Sequence, residues 1–243
     1  MTIMRASFIS YMKNLQRGVA MVAFPEVCCC CGLETTEAGR QICPFCRDER
    51  FELANHEYSS SSDSVLLPEY VFIQHALWKF DQGGTLQSLL HHLKYEHLAD
   101  IGVELGSILG VSMQKHPEMR ERLSSEKVVL VPVPLHYLKF RKRGFNQAFM
   151  IARGVRQKWN FPICEINSVI RIKNTRTQTG FSLKKRIANM RDAFQVKQPE
   201  AFRNTLAVIV DDVFTTGSTT FELARTLKET GCNGVIIVTV AQA

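Results

Sequence analysis

Six of the eight cysteines fall in one short stretch near the start of the 243-residue chain. Cys28 and Cys31 are three residues apart, as are Cys43 and Cys46, and Gly32 follows the first pair. Two cysteines at this spacing can turn both thiolates toward one metal ion, and two such pairs complete a tetrahedral site. Gly32 suits the tight turn that such a pair requires. These four cysteines are therefore predicted to bind a structural zinc ion, because four thiolates leave no open coordination position.

A cluster of free or redox-active thiols is the alternative interpretation of the same stretch. A thioredoxin-like motif would need a strand–helix–strand context, which these residues lack. Cys29 and Cys30 are predicted not to be ligands, and the isolated Cys164 and Cys232 are predicted to be core residues. No apolar run is long enough to predict a signal peptide or a membrane span. We therefore expect a cytoplasmic protein, and in that compartment clustered cysteines typically bind metal.

A second stretch, VIVDDVFTTGST at residues 208–219, joins an apolar run to two adjacent acids and a hydroxyl-rich loop. In an open α/β sheet, ligands bind in the crevice at the carboxyl ends of the strands. Loop N–H groups and a helix N-terminus suit a phosphate, whereas Asp211 and Asp212 suit sugar hydroxyls or Mg²⁺. The phosphate-binding candidates are Thr215, Thr216, Gly217, Ser218 and Thr219. The alternative is an ordinary strand-to-helix turn whose polar residues cap the helix.

Positive charge is concentrated in the middle of the chain. Lys127–Arg191 contains 15 basic residues and one acid, although the net charge of the whole chain is only +7. This excess favours a phosphate-rich partner, either a nucleotide or a nucleic acid, and a solvated face is the alternative. Aromatic residues interleaved with cations favour single-stranded DNA, and no motif that reads duplex DNA is present. The DNA-binding candidates are Arg141, Lys142, Arg143 and Phe145.

The elements that must position these residues follow an α/β pattern. Continuous apolar runs predict buried strands at Val128–Val133, Leu206–Val210 and Val235–Val240, and alternation predicts another strand at Ile163–Ile170. Helical spacing predicts helices at residues 1–24, 86–95, 101–114, 146–158 and 219–229. Strands that alternate with helices predict the α/β class, with a parallel sheet flanked by helices.

The polar run SSSSDS at residues 59–64 marks the predicted domain boundary. We predict an N-terminal helix and four-cysteine zinc-binding domain over residues 1–58. A linker is predicted over 59–69, and the α/β domain over 70–243.

Together these motifs resemble the ComF family of competence proteins. The stretch 208–219 resembles the phosphoribosyl-pyrophosphate (PRPP) motif of type I phosphoribosyltransferases. Further motifs narrow the resemblance to the ComF family: the cysteine pairs, LKY at 93–95, VPVPLH at 131–136 and RGFNQ at 143–147. The resemblance covers the chain from about residue 20 onward. It implies a zinc-finger-like part joined to a type I phosphoribosyltransferase-like domain. The family is associated with natural transformation, in which it acts on incoming single-stranded DNA in the cytoplasm.

The resemblance also implies roles for individual residues. Asp211 and Asp212 match the acids that contact the ribose hydroxyls of PRPP and its Mg²⁺, and 215–219 match the loop around its 5′-phosphate. Pro134, Leu135 and His136 match the pyrophosphate loop, although the prolines also suit simple strand termination. Arg171–Arg191 matches the flexible catalytic loop, for which an exposed amphipathic helix is the alternative. The catalytic candidates are Asp211, Asp212 and Arg186.

Three function classes remain open on the sequence. The first is a ComF-family protein that handles single-stranded DNA, carries a site for PRPP or a related phosphoribosyl ligand and contacts proteins of the DNA-uptake machinery. The second is an active phosphoribosyltransferase that displaces pyrophosphate from PRPP toward an unknown acceptor. The third is a metal-stabilised adaptor without a ligand. The sequence favours the first, because no residues that would orient an acceptor base are recognisable.

Overall fold

The computed structural model describes residues 27–35, 39–54, 66–95, 99–174 and 190–243. The chain divides into two compact units, Met1–Arg50 and Phe51–Ala243. The predicted helix at 1–24 and most of the predicted linker lie outside the described residues. The three-part division of the chain therefore stays a prediction.

The second unit contains a parallel sheet of four strands, which are β1 (Val71–Lys79), β2 (Val128–Pro132), β5 (Leu206–Phe214) and β6 (Gly234–Gln242). Their order across the sheet is β1-β6-β5-β2, and every neighbouring pair is parallel. A short antiparallel pair, β3 (Val169–Arg171) and β4 (Phe194–Val196), lies apart from this sheet. The predicted α/β class is confirmed. Because the strands are parallel, their carboxyl ends share one edge, where the acidic pair and the hydroxyl-rich loop lie.

The helices that accompany the sheet are α1 (Thr85–Tyr95), α2 (Ala99–Lys115), α3 (Pro117–Ser125), α4 (Tyr137–Arg143), α5 (Gln147–Trp159) and α6 (Ser218–Lys228). Glycines allow α2 and α5 to pack closely: a Cβ on Gly106 would lie 1.9 Å from the Ile151 carbonyl oxygen. A Cβ on Gly154 would likewise lie 2.0 Å from the Val103 carbonyl oxygen. Among the helices of the described residues, none is both long and apolar enough to cross a membrane.

Strand β5 is longer than its apolar run predicts. The prediction ends the strand at Val210, whereas the structure continues it to Phe214. The neighbouring strand β6 supplies the partners, since Asp211 pairs with Thr239 and Val213 with Ala241. The two acids therefore lie within a strand and are nearly buried, instead of following the strand in a loop.

The predicted strand at Ile163–Ile170 is wrong over most of its length. Ile163 forms only an isolated parallel bridge with Leu130, and regular pairing begins at Val169. Ile166 is 73% exposed, so the alternating residues bury no continuous apolar face. The backbone turns here instead, and the Ser168 carbonyl accepts hydrogen bonds from the backbone N–H groups of Lys197 and Gln198.

Candidate functional site

The first candidate site is the cysteine cluster of the N-terminal unit. One ligand atom from each of Cys28, Cys31, Cys43 and Cys46 lies within 4.8 Å of the others. The sulfurs of Cys31 and Cys43 are 3.8 Å apart. Zn–S bonds of about 2.3 Å in a tetrahedron place neighbouring sulfurs about 3.8 Å apart. The four predicted cysteines are thus brought together, and this group could hold a metal ion.

The local backbone explains why the cysteine pairs converge. Gly32 adopts φ +73°, and its N–H donates to the Cys28 carbonyl over 2.8 Å. The Cys28 sulfur accepts hydrogen bonds from the backbone N–H groups of Cys30 and Cys43, at 3.4 and 3.3 Å. Burial acts to raise the pKa of Cys28, but these donors outweigh it and lower that pKa to about 6. The backbone therefore stabilises a thiolate, the form that binds metal.

The second candidate site is the acidic pair on β5. Asp211 is 9% exposed and Asp212 is 6% exposed. The backbone N–H of Asp212 donates to the Asp211 carboxylate over 2.9 Å. The Asp212 carboxylate forms an ion pair with the ammonium group of Lys94, which comes from α1. An acid of the sheet is therefore neutralised by a cation from a distant helix.

The two acids experience opposite effects. Burial raises the pKa of Asp211 well above its ordinary range, and the charge of Asp212 raises it further. Burial also acts to raise the pKa of Asp212, but the charge of Lys94 and the contacts with Lys94 and Asp211 together lower that pKa. Burial acts to lower the pKa of Lys94, yet its contact with Asp212 and the charges of both acids together raise it. The surroundings thus favour the ionised form of Asp212 and the protonated form of Asp211.

The hydroxyl-rich loop lies directly after the acidic pair. Gly217 adopts φ +72° and begins α6 without a side-chain hydrogen bond to cap the helix. A Cβ at this position would also lie 2.3 Å from the ring of Phe221. The hydroxyls of Thr216 and Ser218 are 2.8 Å apart. A pocket lies over this loop and is lined by Asp211, Val213, Phe214, Thr215, Thr216, Gly217, Ser218, Thr219 and Thr220.

Further cations lie close to the acidic pair. Arg143 donates to the Gln147 side-chain oxygen over 3.0 Å, and Gln147 in turn acts to lower the pKa of Asp212. Arg171 interacts with the charge of Asp211. Burial lowers the pKa of Lys139, and the nearby charges of Arg171, Arg143 and Lys94 lower it further. These cations thus lie close enough to interact with the acidic pair or with one another.

The other predicted residues occupy different surroundings. Pro134, Leu135 and His136 follow β2, and the N–H of Val133 donates to the Val210 carbonyl on β5. The segment therefore starts beside the strand that carries the acids. His136 is buried, and its ring nitrogen accepts from the Leu138 N–H at the start of α4. Arg186 lies outside the described residues.

The four DNA-binding candidates are not equivalent. Arg141 and Lys142 are exposed on α4, whereas Arg143 and Phe145 are half-buried. Within α4 itself two aromatic residues are exposed, Tyr137 at 62% and Phe140 at 46%. No residue of α4 is buried.

Sequence reasoning assigned no role to Lys94, Gln147, Lys139 or Arg171 at the acidic pair. Lys94 belongs to the LKY motif, which indicated a family likeness but no chemistry. Gln147 begins α5 one residue after the Asn146 cap, so its sequence context indicates only a helix start. The available signal for a partner of the acids was a general one: a buried acid requires a nearby cation. Nothing in the sequence selected the cation.

No model of a known protein family matches the chain. Competence protein F of Haemophilus influenzae is 26% identical over 216 residues, which cover 88% of this chain and 90% of that protein. DNA utilization protein YhgH of Escherichia coli is 30% identical over 155 residues, which cover 64% of this chain and 66% of that protein. Competence protein ComFC of Bacillus subtilis is 31% identical over 103 residues, which cover 42% of this chain and 39% of that protein.

Proposed function

Because this chain belongs to the ComF family, we propose that it handles incoming single-stranded DNA in the cytoplasm during natural transformation. Relatives with names that refer to competence and to DNA utilization support a role of this kind. The observation that carries the proposal is the juxtaposition, in one unit, of the strand-end pocket and the exposed basic helix α4. The pocket would take a phosphoribosyl ligand, and α4 would contact the DNA. Proteins of the DNA-uptake machinery are the proposed partners.

The phosphoribosyl ligand would span the acidic pair and the hydroxyl-rich loop. Its phosphate would accept hydrogen bonds from the hydroxyls of Thr215–Thr219 and from backbone N–H groups at the start of α6. Its ribose hydroxyls would meet Asp211, which lines the pocket, and the neighbouring Asp212. PRPP is the first ligand to test, with and without Mg²⁺, because divalent metal accompanies PRPP in the enzymes that the motif resembles.

The cysteine cluster would bind zinc in a structural role. Four thiolates satisfy the tetrahedral preference of Zn²⁺ and leave no position for water or substrate. The N–H donors to the Cys28 sulfur support a charged thiolate. The zinc would therefore hold the N-terminal unit together without taking part in a reaction.

The DNA-binding surface would be centred on α4. Arg141 and Lys142 extend from the helix and would contact backbone phosphates, as predicted. Tyr137 and Phe140 lie one helical turn apart and are exposed, so they suit stacking on unpaired bases. The half-buried Phe145 offers less ring surface for stacking.

Fluorescence anisotropy of a labelled single-stranded oligonucleotide across a salt series tests the DNA surface. Replacing Arg141 and Lys142 with Ala should weaken binding and flatten the salt dependence by about 1.4, at about 0.7 per phosphate contact. Tyr137→Ala with Phe140→Ala should weaken binding by about 1–3 kcal/mol per base but leave the salt slope unchanged. Lys115→Ala with Arg120→Ala removes two exposed cations from α2 and α3 and serves as the charge-matched control.

Three results would contradict this surface. Undetectable wild-type binding at physiological salt would remove the DNA function altogether. An unchanged slope in the α4 variant, or an equal loss in the control variant, would place the DNA elsewhere on the protein.

An active phosphoribosyltransferase is the second candidate. The cations Lys139, Arg143 and Arg171 favour it, because positive charge near the acidic pair would stabilise departing pyrophosphate. The test is pyrophosphate release from PRPP in the presence of a panel of nucleobases. Release that Asp212→Asn abolishes would support an enzyme, and absence of release with every acceptor in the panel would count against it.

A further inference from the structure

The acidic pair already has a cation of its own. Lys94 forms an ion pair with Asp212, and its side chain is only 26% exposed. The side chain of Gln147 also interacts with this carboxyl and lowers its pKa. An acid prepared to receive a divalent ion keeps carboxylate oxygens that are not already paired with a cation of the protein. Asp212 instead is paired within the protein, and its partner comes from a different element.

The charges around the pair also disfavour a second cation. Four basic residues interact with the pair or with one another at this end of the sheet: Lys94, Lys139, Arg143 and Arg171. Lys94 already balances the charge of Asp212, and burial favours the uncharged, protonated form of Asp211. A divalent cation would therefore find no uncompensated carboxylate at the pair and would be repelled by the Lys94 ammonium. The residues at this pair therefore do not fit Mg²⁺.

We propose that Lys94 is the built-in counter-cation of this site, so that the acidic pair binds the sugar of a phosphoribosyl ligand without a divalent metal. This inference rests on the proposed ligand site. Lys94 would act as a positioning residue by keeping Asp212 ionised and oriented as an acceptor for the ribose diol. Asp211 would offer both a donor and an acceptor to the second hydroxyl, because a protonated carboxyl has both capacities.

Calorimetric titration with ribose 5-phosphate tests the proposal. This ligand has the diol and the phosphate but lacks the pyrophosphate that would itself bind Mg²⁺. The full-length protein is placed in buffer depleted of Mg²⁺ by a chelating resin, which leaves thiolate-bound metal in place. We expect the dissociation constant to change by less than about threefold when MgCl₂ is added. The comparison needs no variant, so it holds even if substitutions at Lys94 impair folding.

Variants of Lys94 sharpen the test. Lys94→Met should weaken binding about tenfold or more in Mg²⁺-free buffer. Added Mg²⁺ should restore part of that loss, because the uncompensated Asp212 then becomes a metal ligand. Lys94→Arg keeps the charge and should bind within about threefold of wild type. Lys115→Met, at the exposed end of α2, is the matched control and should have no effect.

Two results would overturn the inference alone. One is wild-type binding that improves about tenfold or more with Mg²⁺, and the other is Lys94→Met protein that binds like wild type without the metal. If neither ribose 5-phosphate nor PRPP binds in either buffer, the proposed ligand site itself fails, and the inference fails with it.

Discussion

The cysteine cluster and the acidic pair both bring together groups that are costly to bury, but they differ in where the compensating charge comes from. Four thiols of the N-terminal unit lie within 4.8 Å of one another, an arrangement that suits a bound metal ion. The acidic pair of the second unit instead receives Lys94 from α1. A buried anionic cluster can thus depend on a bound metal or on a cation of the same chain. Metal removal should therefore loosen the cysteine cluster and leave the acidic pair unchanged.

The largest effect is expected at the cysteine cluster. Cys46→Ser should abolish zinc binding and unfold the N-terminal unit, because structural zinc contributes about 10–16 kcal/mol in small zinc-binding domains. Elemental analysis should find one zinc per wild-type chain and none in the variant. Cys29→Ser is the control: its thiol is not in the cluster, so zinc should remain. Wild-type protein that lacks zinc after purification without chelator would contradict the account.

The next effect concerns the ion pair. Asp212→Asn should destabilise the second unit by about 3 kcal/mol, because the Lys94 ammonium loses its partner in a mostly buried position. The double variant Lys94→Met/Asp212→Asn should recover much of this loss. Urea unfolding followed by tryptophan fluorescence measures the effect, since Trp78 and Trp159 both lie in the second unit. Equal stability of wild type and Asp212→Asn would show that the pair contributes little.

A smaller effect is expected at the loop, which depends on backbone conformation instead of charge. Gly217→Ala should cost about 1–2 kcal/mol for the left-handed conformation, and more if the ring of Phe221 has to move. Gly83→Ala is the matched control, because Gly83 has φ +79° and a Cβ added there would meet no atom within 4 Å. The same unfolding assay should therefore show the larger loss for Gly217→Ala. Equal losses would indicate that contact with Phe221 is unimportant.

The smallest effect is expected at Asp211, and it should depend on pH. The folded-state pKa of Asp211 is raised, so its carboxyl destabilises the fold increasingly as pH rises from the unfolded value of about 3.9 toward the folded one. Asp211→Asn should therefore stabilise the second unit by about 1 kcal/mol near neutral pH and by nothing in acid. Asp212 has a lowered pKa, so its contribution is present above about 3.9 and lost as pH falls through the folded value. Unfolding curves at several pH values that show no gain for Asp211→Asn would contradict this assignment.

The two regions also differ in how much the sequence predicts. The cysteine pairs span 19 residues, and their spacing sufficed to select the four residues that the structure brings together. The buried strands were likewise predictable, since β2, β5 and β6 are continuous apolar runs. The extension of β5 was not, because Asp211 and Asp212 continue the ladder only through pairing with β6. The alternation at Ile163–Ile170 led to a wrong strand prediction, because the pattern of exposed and buried residues there arises from a turn.

The counter-cation of the acidic pair could not be predicted from local pattern. Lys94 and Asp212 are separated by well over a hundred residues, and their contact depends on how α1 packs near the end of β5. The basic stretch offered several other candidate cations, among which composition cannot choose. The exposure of Tyr137 and Phe140 could not be predicted from local pattern either. It reflects the position of α4, a helix in which no residue is buried.

Hydrogen exchange of the full-length protein, measured by mass spectrometry before and after treatment with a zinc chelator, tests the contrast most directly. Exchange should accelerate in residues 27–50, where a bound metal would hold the cysteine pairs together. It should stay unchanged in Thr85–Tyr95 and Leu206–Lys228, which contain Lys94, the acidic pair and the loop. Unchanged exchange in residues 27–50, or equal acceleration in both regions, would contradict the account.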